Sequence, residues 1–205
     1  MDTGDRLYFR QLLAGRDYAR NDPIARQMVN FVYLIGDRET GETVVIDPAY
    51  DIQGLLDIVD ADGMRLTGAL ATHYHPDHVG GSMGGYTIGG VRELLALRPV
   101  PIHVQADEAP WVQRVTECSE SDLIQHASGD TLFLEGCGRT DLPGGDPAAL
   151  YESLTQKLAK IPDHAVLFPG HLYSAEPSAT MGETRQWNYV FRPTSAEQWL
   201  AMFGQ

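Results

Sequence analysis

Thr72-His73-Tyr74-His75-Pro76-Asp77-His78 decides how this chain is read. Three imidazoles and one carboxylate fall within six residues, directly after the apolar stretch Leu66–Thr72. Neutral imidazole and carboxylate are the donor set for zinc, iron or manganese. His73 and His75 alternate with non-ligands, so an extended segment points both the same way, and Asp77 and His78 begin a second group as the chain turns toward a helix. A single histidine is more often a surface or core residue than a ligand. Four candidate ligands this close together reverse that reading.

Working outward, Val29–Ile35 is β-branched and aromatic and reads as a strand, with Thr43–Ile46 as its hairpin partner ending at Asp47-Pro48. Ile52, Leu55, Leu56 and Val59 recur at helical spacing and predict a helix over 52–62. Leu66–Thr72 is then a short buried strand that carries the histidines at its C-terminal end, where layered α/β folds place ligand sites. Gly80–Gly90 is dense in glycine and reads as a loop near the site. Further helices are expected over 91–97 and 107–115, and from Pro147 to Ile161, with strands at Ile102–Val104 and Ala165–Phe168. Gln125–Gly129 reads as a polar turn. Trp187, Tyr189, Phe191, Trp199 and Phe203 are expected to pack a final helix onto the body.

The 205 residues suffice for a sizeable core and are read as a single domain, 1–205. A formal charge of −13 without a basic stripe argues against a nucleic-acid partner. No run is long and apolar enough for a transmembrane helix, and the charged first residues lack a signal-peptide pattern, so the expectation is a cytoplasmic protein with no membrane partner. Cys118 and Cys137 lack C-x-x-C spacing and a basic neighbour, which points to reduced packing residues rather than nucleophiles.

The histidine run, a mid-chain Gly129-Asp130 and a late strand ending in Gly170-His171 together resemble the metallo-β-lactamase superfamily. Gly136-Cys-Gly-Arg-Thr-Asp141 and Pro169-Gly-His-x-Tyr173 look like its glyoxalase II and persulfide dioxygenase branch. The resemblance implies an α+β fold: a four-layer αβ/βα sandwich of two mixed sheets with outer helices and metals at one edge. It places His73 and His75 on a first metal, Asp77, His78 and His171 on a second, and Asp130 as the bridging carboxylate. Two divalent cations are implied, zinc first and iron as the alternative, with a hydroxide between them as nucleophile and Asp77 orienting it. Arg139 and Tyr173 are candidates for contact with a small-molecule substrate. A homo-oligomer is left open.

One family landmark is missing. A T-P-G-H-T-like segment should supply a third histidine for the first metal, yet Ser128–Phe133 looks like two landmarks fused between Gly129 and Asp130. His126 is a turn histidine rather than its replacement, and His103 and His164 have no motif support. Losing core strands would forfeit burial far beyond a net stability of roughly 5–15 kcal/mol. It would also expose sheet edges. The expectation is therefore that the working protein carries the segment. The activity implied is a metal-dependent hydrolase for a thioester or related acyl compound. The alternatives are a mononuclear iron persulfide dioxygenase, or a catalytically impaired metal-binding protein if the segment is truly absent.

Overall fold

The computed structural model describes residues 6–106, 108–126, 132–140, 146–193 and 195–203. The chain forms two compact units, 1–129 and 130–205. Their boundary falls between the two residues where the sequence landmarks look fused. Gly129 and Asp130 themselves lie outside the described residues.

The first unit is built on a six-stranded mixed sheet. In chain order its elements are β1 (Leu7–Leu13), α1 (Pro23–Met28), β2 (Phe31–Asp37), β3 (Glu42–Ile46), α2 (Ile52–Ala61), β4 (Arg65–Ala71), α3 (Pro76–Val79), β5 (Gly81–Met83), β6 (Tyr86–Ile88), α4 (Val91–Leu97), β7 (Ile102–Gln105), α5 (Ala109–Thr116) and β8 (Leu123–His126). The sheet order is β1-β2-β3-β4-β7-β8. β1, β2 and β3 pair antiparallel, whereas β3, β4, β7 and β8 run parallel. Parallel neighbours need helical crossovers, and α2 supplies the one from β3 to β4. Its Ile52, Leu55, Leu56 and Val59 are all buried, as their spacing predicts. They pack with Leu34, Val45 and Leu66 from the sheet. Asp51 starts the helix by accepting the Gly54 N–H at 2.9 Å.

Two readings change in this unit, and one strand has no counterpart in the sequence reading. The Gly80–Gly90 stretch is a β-hairpin, β5 against β6, with Ser82 opposite Thr87. Gly84 and Gly85 both have positive φ, 57° and 86°, so they form the two-residue turn that a hairpin prefers. Its base is closed where Gly80, at φ 84°, lies so close to Gly90 that a Cβ would come within 2.7 Å of the Gly90 Cα. Gln125 and His126 belong to β8, pairing with Val104 and Gln105, because parallel pairing with β7 overrides their polar character. β1 was not anticipated. Arg10 and Gln11 break the alternation of its sequence, but all seven residues pair with β2.

The second unit has its own core of Leu132, Leu154, Met181, Val190 and Trp199. Here α6 (Pro147–Glu152) covers only the first part of the expected Pro147–Ile161 helix. One π turn, Ser153–Lys157, and one 3-10 turn, Leu158–Lys160, follow it. The Thr155 hydroxyl donates to the Tyr151 carbonyl at 2.8 Å, competing with the regular ladder at that step. β9 (Val166–Leu167) pairs with β10 (Ala179–Thr180). α7 (Met181–Trp187) begins with a capping box between Thr180 and Glu183, and α8 (Ala196–Phe203) buries Trp199 as expected, whereas Trp187 and Tyr189, expected to pack with it, are exposed. The Trp199 indole N–H donates to the Val190 carbonyl at 3.1 Å. No helix among the described residues is long and apolar enough to cross a membrane.

Candidate metal centre

Two adjacent parallel strands deliver the centre at their carboxyl ends: β3 leads into Asp47, and β4 into Thr72 and the histidines. His73, Asp77 and His78 are buried, His78 completely. His73 Nε2 faces His75 Nδ1 at 2.9 Å, and the His73 and His78 rings lie 4.1 Å apart between centroids. His78 Nε2 is 3.7 Å from Asp77 Oδ2. The four residues read from the motif are thus brought together within the first unit.

The hydrogen bonds fix which nitrogens can ligate. Asp47 accepts from the Thr72 N–H at 2.7 Å, the Thr72 hydroxyl at 2.7 Å and His78 Nδ1 at 2.8 Å. His78 must therefore carry its proton on Nδ1, leaving the Nε2 lone pair directed toward Asp77. Thr72 has given its only hydroxyl proton to Asp47. Its oxygen, 3.0 Å from His73 Nδ1, consequently accepts a proton from that ring and leaves the His73 Nε2 lone pair facing His75. One carboxylate so orients both imidazoles, the arrangement by which proteins align histidine ligands.

The donor set fits a divalent transition metal. His73 Nε2 and His75 Nδ1 share one proton across 2.9 Å, and a cation drawing on both lone pairs would displace it. The loop is held from its outer side by Glu108, whose Oε2 accepts the Tyr74 N–H at 2.9 Å. The Tyr74 ring packs on Trp111 at 5.6 Å. Thr72 was read as part of the motif but given no role, and Asp47, Glu108 and Asn30 were not read as site residues. Of those three, Asp47 left a trace in the sequence, as the last residue before the Pro48 that closes the strand.

In the second unit His171 is buried and stacks on Tyr173, with ring centroids 4.6 Å apart and planes within 6°. Phe133 meets both rings edge-on, at 5.8 Å and 5.4 Å. Tyr173 and Arg139 are exposed. Gly136 and Phe133 offer their carbonyls to the Asn188 side chain, each at 2.9 Å, which pins the glycine turn. Burial raises the Cys137 thiol to about 11, and Cys118 is raised for the same first reason. Both are therefore protonated at neutral pH and poor nucleophiles. Asp130, expected as the bridging carboxylate, lies outside the described residues, as does Asp141.

Comparison with known proteins agrees with this geometry. Residues 25–124 match the model of the metallo-beta-lactamase superfamily. Mitochondrial persulfide dioxygenase ETHE1 of Bos taurus is 31% identical over 183 residues, covering 77% of this chain and 70% of that protein. Hydroxyacylglutathione hydrolase of Polaromonas sp. strain JS666 is 35% identical over 167 residues, covering 70% of this chain and 62% of that one. In both, the aligned length exceeds what the covered share of 205 residues can supply. Each relative thus carries residues inside the match that have no counterpart here. Among solved structures, ETHE1 from Myxococcus xanthus superposes with a TM-score of 0.74 at 22% identity, covering 97% of this chain and 90% of that one. The fold is the mixed-sheet α+β fold of that group, and the chain belongs to the metallo-beta-lactamase superfamily.

Proposed function

We propose that this chain is a metal-dependent hydrolase of a thioester or related acyl compound, working with two divalent cations, zinc before iron. The observation that carries the reading is the separate support given to Asp77 and His78. A one-metal centre of two histidines and a carboxylate needs only His73, His75 and one acid. Here Asp77 and His78 are buried and individually oriented as well, by Asn30 and Asp47. His171 and Asp130 complete the two ligand sets by the family pattern. Divalent cations in such a centre supply Lewis acidity and bring the pKa of water toward neutrality. Asp77 is the residue to take up a proton from that water, while Tyr173 and Arg139 are the side chains to contact substrate.

The Polaromonas relative is named for hydroxyacylglutathione, but this chain spans less than two thirds of its length. A thioester or ester of another small molecule is the better-founded substrate class. Nucleic acid and membrane are not partners in this reading, the location is cytoplasmic, and a homo-oligomer is compatible with it.

A second reading, persulfide dioxygenase with one iron, is supported by the bovine relative and by Gly136–Asp141. Elemental analysis with intact mass, followed by two assays, separates the readings. Thioester hydrolysis with about two zinc ions per chain, the number the two ligand sets imply, supports the first. Oxygen uptake with glutathione persulfide and one iron supports the second. Full metal occupancy with neither activity would identify a metal-binding protein impaired by the missing segment.

A further inference from the structure

Asn30, at the entrance to β2, has a buried side chain with three partners. Its Nδ2 donates to Asp77 Oδ2 at 3.0 Å and lies 3.2 Å from His78 Nε2, the nitrogen shown above to hold a lone pair. Its Oδ1 accepts the Tyr50 hydroxyl at 2.7 Å. Asn30 is 1% exposed and Tyr50 5%. An amide has one acceptor end and one donor end. With the acceptor end taken by Tyr50, the donor end must face the two ligands.

Tyr50 is held in this role at a cost to its backbone. Its φ is 71°, a region that bulky side chains rarely occupy, and its N–H is tied to the Gly89 carbonyl at 2.8 Å. We infer that Asn30 is a positioning residue for the metal ligand Asp77, whose carboxylate has further lone pairs for a cation, and that Tyr50 acts through it by fixing which way the amide faces. Without the hydroxyl the amide can turn over, setting an oxygen against Asp77 Oδ2 and withdrawing the donor that holds that carboxylate. The inference rests on the two-metal reading given under Proposed function.

The test measures zinc affinity of the full chain by competition with a chromophoric chelator, alongside thermal unfolding of the zinc-free protein. Asn30→Ala is expected to weaken one of the two zinc-binding steps 10- to 100-fold, about the effect of removing a residue that orients a ligand. Tyr50→Phe should weaken it about fivefold, the worth of one neutral hydrogen bond. Adding Tyr50→Phe to Asn30→Ala should cost nothing more, because the partner through which Tyr50 acts is already gone. A merely structural role would lower the melting temperature and leave affinity alone. Unchanged affinity in the single variants, or losses that multiply in the double variant, would overturn the inference. If Asn30→Ala does not fold, Tyr50→Phe alone decides it, since that change removes one oxygen. Wild-type protein that takes up no zinc overturns the metal reading itself, and this one with it.

Discussion

At the scale of single residues, the histidine run was legible because ligand chemistry is written in residue type and spacing. Its supporting layer was not. Asp47 and Asn30 act on the ligands His78 and Asp77 from 31 and 47 residues away in sequence, and Glu108 holds the Tyr74 N–H between His73 and His75 from 34 away, so only folding brings them together. Asp47 is the most exposed to test. Asp47→Asn replaces an acceptor that serves three donors with a group able to turn a donor toward them. Metal affinity should fall about 10- to 100-fold, read from the metal-to-protein ratio after dialysis against graded zinc. The cysteines give a second prediction. With the Cys137 thiol raised to about 11 by burial, its alkylation by iodoacetamide should stay slow at pH 8 and accelerate only as pH approaches that value. Rapid labelling at neutral pH, followed by peptide mapping, would contradict the burial argument.

At the scale of elements, periodicity carried the reading wherever one face is buried. α2 follows it, with Ile52, Leu55, Leu56 and Val59 all buried. It failed where pairing partners, rather than the local pattern, decide. β1 is an example: its register with β2 is complete, and its far side is anchored to the end of α2. Arg10 meets Asp62 at 2.6 Å, and the Tyr8 hydroxyl donates to the same carboxylate at 2.6 Å. The Arg10 hydrogen bond is the main cause that holds Asp62 below its ordinary range. A carboxyl depressed in the folded state contributes stability that is complete above its unfolded pKa of about 3.9 and is lost as pH falls through the lower folded value. Asp62→Asn should therefore destabilise the protein at neutral pH, with the difference from wild type shrinking to nothing in strong acid. Urea titrations at several pH values would show it. At the hairpin base, Gly80→Ala adds a Cβ at φ 84° against Gly90 and should cost about 1–3 kcal/mol by the same measurement.

For the molecule as a whole, the family and α+β class were legible, whereas the interruption at Gly129-Asp130 could be seen only as landmarks running together. The relatives' extra residues within the matched region give that observation independent weight. Metal should matter to the entire chain through mass action. A ligand that binds only the folded state at about 100 times its dissociation constant adds about 2.7 kcal/mol. Chelation should accordingly lower the melting temperature, and added zinc should restore it in proportion to the logarithm of its concentration. The hairpin between α3 and α4 bears on the chain's future variation. Its tip exposes Tyr86, while its foot is clamped by two glycines immediately after the histidine helix. It is therefore a cassette: its tip can be lengthened, shortened or exchanged without shifting the frame that holds the imidazoles, and a library confined to residues 84–86, leaving the core-packed Met83 in place, should keep wild-type zinc uptake.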